Sequence, residues 1–334
     1  MTLSSFLISI VPVFLFQLAL VFLDSYRLVK FSALFLTILA GGVAAFICLF
    51  INQFLIINTK MPLEIYYRYI GPVFEEFFKA LFIVWLFKRN KIGFLVDAAV
   101  LGFAAGTGFA FIENIYYLQN LTNGNPFMWL IRGLGTAVMH GGTISIFAIL
   151  SKSFIDRRLT KKFYVFIPGF LAAFLIHSAF NHFLLPAPVI TLIQLIVLPA
   201  LIYITYNQSE KYLREWLEVS MDIDVWLLDY INSGRISQTK IGQYIYSIRN
   251  QFPGEIVADM LCYIRLHLEL AIRSKGILMM RETGFFIPHD QDIGEKIDEL
   301  KYLEKSIGKT GRLALSPILH TSTQELWQLG ILNN

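Results

Sequence analysis

The 334 residues are 56% hydrophobic and 16% charged, which excludes an ordinary soluble globular protein and makes the lipid bilayer the natural solvent. A net charge of +4, with Lys and Arg gathered in short loops rather than in a stripe interleaved with aromatics, gives no case for nucleic acid. Two cysteines, Cys48 and Cys262, supply no disulfide framework.

A helix needs about 20 apolar residues to cross roughly 30 Å of hydrocarbon. Runs near that length predict an all-α, polytopic transmembrane bundle of about seven spans: Ser5 to Leu23, Phe31 to Ile57, Ile70 to Phe87, Ile92 to Leu118, Leu134 to Leu150, Phe163 to Leu185 and Val189 to Tyr206. The first lacks the basic flank and the small-residue cleavage site of a signal peptide, so it counts as a span. Arg27 and Lys30, then Lys88, Arg89 and Lys91, then Lys152, Arg157, Arg158, Lys161 and Lys162 fall on one side. Lys60, Arg68 and Arg132 fall on the other. The positive-inside rule places the amino terminus outside and the tail after Tyr206 in the cytoplasm. Residues 1–206 form the transmembrane domain. Residues 207–334 shift to mixed charge and predict a cytosolic helical domain, with turns at Ser233-Gly234, Pro253-Gly254 and Gly308 and helical spacing at Ile256, Met260, Tyr263, Ile264 and His267.

A charge in hydrocarbon costs several kcal/mol and persists with a partner or a purpose. The third span carries Glu75, Glu76 and Lys79, where Lys79 can reach either carboxylate at i+4 or i+3. A self-neutralising ion cluster that fixes helix packing accounts for these three as readily as chemistry does. The fourth span carries Glu113, with no basic residue within a turn of it, after small residues that permit close helix approach. His140 lies in the fifth span, and His177 with Asn181 lies on one stripe of the sixth.

Counted from the span ends, Glu75, Glu113, His140 and His177 share a depth of roughly 8 to 12 Å below the outer face, although they come from antiparallel helices. Scattered packing residues have no reason to share a depth. Three carboxylates against Lys79 leave two negative charges if the histidines are neutral. Either the carboxylates take up protons, which suits general acid-base work, or Zn2+ or another divalent cation sits among carboxylate and imidazole ligands, with Glu113, His140 and His177 as the expected set.

The order Glu75-Glu76-x-x-Lys79, Gly-Phe-Ala-x-x-Glu113-Asn114, an isolated His140 and His177-x-x-x-Asn181 resembles the PrsW family of intramembrane proteases, related to the CAAX prenyl protease and bacteriocin-processing superfamily. The resemblance covers about residues 64–206. It implies a peptidase of the bacterial cytoplasmic membrane that cuts a single-span, membrane-anchored protein on its extracytoplasmic side, in the best-known case an anti-sigma factor. It implies that Glu75 and Glu76 activate the attacking water, that Glu113, His140 and His177 complete the site, that Asn181 polarises the substrate carbonyl, and that Lys79 and Asn114 support them. The metal and the glutamate-histidine mechanisms both stay open. The tail after Tyr206 has no counterpart in the pattern and is a candidate for binding a regulator or for self-association.

Two other classes compete. A proton- or ion-coupled transporter needs a polar path across the membrane, whereas these residues form one layer, with Asp97 a partial exception. A non-catalytic scaffold of the same fold is expected to lack a glutamate or histidine, and none is missing.

Overall fold

The computed structural model describes residues 3–24, 26–120, 126–182, 184–283, 285, 292–318 and 332. Among them no strand occurs, and the chain separates into two compact units, Met1–Ser209 and Glu210–Asn334.

In the first unit the helices are α1 (Leu3–Leu23), α2 (Phe31–Thr59), α3 (Gly71–Lys88), α4 (Leu95–Asn120), α5 (Pro126–Arg158), α6 (Phe163–Asn181) and the start of α7 (Ala187–Asn232). All except α3 are long and apolar enough to cross a membrane. Helix α3 matches the expected third span in place, but its 18 residues hold Glu75, Glu76, Lys79 and Lys88. Helix α7 continues well past Tyr206, where a boundary was expected, because no Gly or Pro interrupts residues 200–232. Lys152, expected in a basic loop, lies within α5; its side chain is fully buried and donates to Asp156 at 2.5 Å.

Helix α4 is the centre of this unit. Of its most apolar stretch 83% is buried, against 17% for α7, which marks α4 as the core and α7 as periphery. Its small residues let the backbones of α2 and α5 close in on it. A Cβ at Gly106 would lie 2.1 Å from the His140 carbonyl oxygen on α5, and one at Gly108 would lie 1.8 Å from that of Ile38 on α2.

A π-helical turn, Tyr66–Ile70, leads into α3. Pro72 lacks the N–H that would bond the Tyr67 carbonyl in an i→i+5 pattern or the Arg68 carbonyl in an i→i+4 pattern. Two side chains of α6 supply those donors: Asn181 Nδ2 donates to the Tyr67 carbonyl at 2.9 Å, and the Ser178 hydroxyl to that of Arg68 at 2.6 Å. Pro72 and α6 thus fix where α3 begins.

In the second unit α8 (Lys240–Ile248), α9 (Gly254–Thr283) and α10 (Asp292–Leu315) surround a core that includes Met260, Ile264, Leu268, Ile307 and Leu315. Gly234 takes φ +70° at one expected turn and Gly308 takes φ +65° at a kink within α10, conformations that favour glycine.

Candidate active site

Neighbouring residues on a helix point about 100° apart, so Glu75 and Glu76 meet different surroundings. Glu76 turns inward with its side chain wholly buried, and Lys79, one turn on and equally buried, donates to its Oε1 at 2.5 Å. The ion cluster expected from i,i+3 spacing is therefore built from Glu76 and Lys79. Glu75 turns to a cavity of about 690 Å³, which Glu113, Arg132, His140, His177 and Asn181 also line.

The hydrogen bonds assign the proton on each histidine. His177 Nδ1 lies 2.6 Å from Glu76 Oε1. A carboxylate only accepts, so Nδ1 carries a hydrogen, and Nε2 faces Glu75 Oε2, 3.8 Å away. His140 Nδ1 lies 2.9 Å from the Lys79 ammonium, which only donates, so Nδ1 holds the lone pair. His140 Nε2–H then donates to Glu113 Oε2 at 2.9 Å. The two rings stand nearly perpendicular, 87° apart, with centroids 5.0 Å apart.

One donor atom each from Glu75, His140 and His177 lies within 4.8 Å of the others, a group that could hold a metal ion. The expected ligand set had Glu113 in the place of Glu75. The difference has a physical reason. Glu113 already accepts from His140 and faces Arg132 Nη2 at 3.6 Å, whereas the polar contacts of Glu75 among the described residues are both long, from Asn52 Nδ2 at 3.5 Å and to His177 Nε2 at 3.8 Å. Two imidazoles and one carboxylate are the donor chemistry of a catalytic zinc site. The local charge is compatible with a cation: Glu75, Glu76 and Glu113 against Lys79 and Arg132 leave one negative charge over.

Asn181 reaches the cavity wall, but one N–H of its amide is spent on the Tyr67 carbonyl. Asn114 is buried and turns away from the histidines, donating from Nδ2 to the Ser9 carbonyl at 2.8 Å. Two polar groups were not foreseen. Asn52 on α2 contacts Glu75 and accepts from the Tyr66 hydroxyl at 2.7 Å, and Arg132, expected only at the interface, is the counter-ion of Glu113. The Asn52-Gln53 pair interrupting the apolar run of α2 was the available sign for the first. The partner of Glu113 lies 19 positions along the chain and gave none.

A family model described as PrsW family intramembrane metalloprotease matches residues 30–205. No curated protein and no solved structure matches the chain.

Proposed function

Since the chain belongs to the PrsW family of intramembrane metalloproteases, we propose that it hydrolyses a peptide bond of a single-span membrane protein near the extracytoplasmic face, with Glu75, His140 and His177 at the reacting centre. What supports this reading is the convergence of those three donor groups on one cavity wall. Their placement inside apolar helices has an energetic cost that packing alone does not require.

Glu75 faces the cavity with only long-range partners among the described residues, so with no cation bound it takes the proton of the attacking water and returns it to the leaving nitrogen, whereas with one bound it would serve as a ligand. Glu76 holds the Nδ1–H of His177 and leaves its Nε2 toward Glu75, whereas both nitrogens of His140 are engaged, Nε2 by Glu113 and Nδ1 by Lys79, so a cation at His140 would take the Nδ1 position that Lys79 now holds. The free N–H of the Asn181 amide is a donor for the substrate carbonyl. Glu75, His140 and His177 would hold a divalent cation, which when bound supplies Lewis-acid polarisation of the carbonyl and a more acidic water.

The proposal includes α3 as a seventh span, with Glu75, Glu76 and Lys79 turned to the bundle interior rather than lipid, the amino terminus outside and the second unit cytosolic. Of the loop expected outside, Gln119 to Pro126, residues 121–125 lie outside the described residues. Cys262 is exposed and Cys48 buried, so a membrane-impermeant thiol reagent should label Cys262 only in permeabilised cells. Labelling in intact cells would reverse the orientation.

The decisive experiment reconstitutes the protein in liposomes with a panel of single-span reporters and follows fragment release. Glu75→Gln should abolish any cleavage that the native protein performs. Retained cleavage would remove Glu75 from the mechanism.

A further inference from the structure

We infer that Asn114, Arg132 and Tyr117 form a clamp that holds the Glu113 carboxylate against His140 and, together with Lys79 on the other edge of the ring, sets which nitrogen of His140 carries the proton. Arg132 is here a positioning residue that acts through Glu113. The clamp itself stands on hydrogen-bond geometry, and only its zinc arm rests on the function proposed above.

Three contacts fix the guanidinium. Its Nε donates to Asn114 Oδ1 at 3.1 Å, its carbon lies 3.8 Å from the centroid of the Tyr117 ring, and its Nη2 faces Glu113 Oε2 at 3.6 Å. Asn114 is anchored in turn by its bond to the Ser9 carbonyl, so its oxygen cannot turn away without losing that bond. Arg132 begins a π-helical turn, Arg132–Thr136, and the next residue is glycine where α1 passes: a Cβ at Gly133 would lie 2.4 Å from the Ile8 carbonyl oxygen. Helix α1 therefore helps to set both ends of the clamp.

The Nη2 atom is buried and has no hydrogen-bond partner among the described residues. At 3.6 Å it acts on Glu113 as a charge, and with the two side chains only 15% and 17% exposed, solvent screens that charge weakly. The carboxylate is left with its hydrogen-bonding capacity directed to the Nε2–H of His140. A carboxylate behind a histidine in this way fixes its tautomer and orientation, and losing such a partner typically costs about 10- to 100-fold in metal affinity. Lys79, at Nδ1, favours the same tautomer, so the clamp and Lys79 act from opposite edges of the ring.

The test uses the full-length protein, labelled with 15N-histidine, in micelles at neutral pH, with the His140→Gln spectrum identifying the His140 signals. The native protein should show His140 as the Nε2–H tautomer. Arg132→Gln should show a mixture of tautomers, Tyr117→Leu a smaller admixture, and Arg132→Lys, which keeps the charge without the fork or the stack, an intermediate one. In a second arm, chelator competition with Zn2+ alone should show about a 10-fold or greater loss of affinity in Arg132→Gln. A pure Nε2–H tautomer in Arg132→Gln would mean that Lys79 alone sets the ring, and full recovery by Arg132→Lys would reduce the clamp to charge neutralisation; either result overturns the inference. If Arg132→Gln fails to fold, Tyr117→Leu decides. If the native protein binds no zinc, the metal part of the proposed function falls while the tautomer arm still decides the clamp.

Discussion

Glu75 and Glu76 are adjacent in sequence and opposite in circumstance: the Glu76 side chain is wholly buried against Lys79, while that of Glu75 is 14% exposed toward the cavity and lacks an ion pair with Lys79. Their neutral variants should therefore separate. Glu75→Gln leaves the Lys79 pair intact, so thermal stability in detergent should hold. Glu76→Gln strands a buried ammonium, and removing one partner of a buried pair costs about 3 to 5 kcal/mol. Equal melting temperatures for the two variants would contradict the assignment of Glu76 as the structural carboxylate.

Asn52 bridges Glu75 and Tyr66, its Nδ2 on the carboxylate and its Oδ1 on the phenol. Asn52→Leu should lower reporter cleavage by roughly 10- to 100-fold, as loss of an outer-shell partner does. A rate within about twofold of the native one would make Asn52 a bystander.

Gly106→Ala would drive a methyl into the His140 carbonyl, backbone against backbone, so α5 must shift and carry His140 with it. The expected result is about 1 to 3 kcal/mol of lost stability together with lost cleavage. Gly276→Ala, in helix α9 of the second unit, meets no atom within 4 Å and should raise stability by about 0.4 to 1 kcal/mol. The pair is read by melting temperature on the same preparation.

Burial, and then the charge of Lys275, push the His267 imidazole of the second unit down to about 4 from 6.5. Between those values the unfolded chain binds more protons than the folded one, so stability is full above pH 6.5 and falls as pH drops toward 4. Discounting for the part of the ring that water reaches, the loss at pH 5 should be about 1 to 2 kcal/mol. Melts of native protein and His267→Gln at pH 7 and pH 5 check this: the variant should show the shallower pH dependence.

The sequence by itself determined the membrane environment, because the free energy of burying a long apolar run is a local property of that run. The helical class followed in the same way, as did the residues worth attention, since an ionisable group in an apolar segment stands out without any knowledge of its neighbours. Only the tertiary structure decided how those residues pair. Sequence spacing let Lys79 reach Glu75 or Glu76, and the packing of α6 against α3, through Asn181, Ser178 and Pro72, turned Glu76 toward Lys79 and His177 and left Glu75 to the cavity. It likewise grouped Glu75, rather than the expected Glu113, with His140 and His177 as donors that could hold a metal, because the counter-ion of Glu113 is Arg132 on another helix. Short-range periodicity says which residues share a face, but which face meets which is set by long-range contacts such as the glycine-mediated approach of α4 to α2 and α5, and those are made only when the chain is folded.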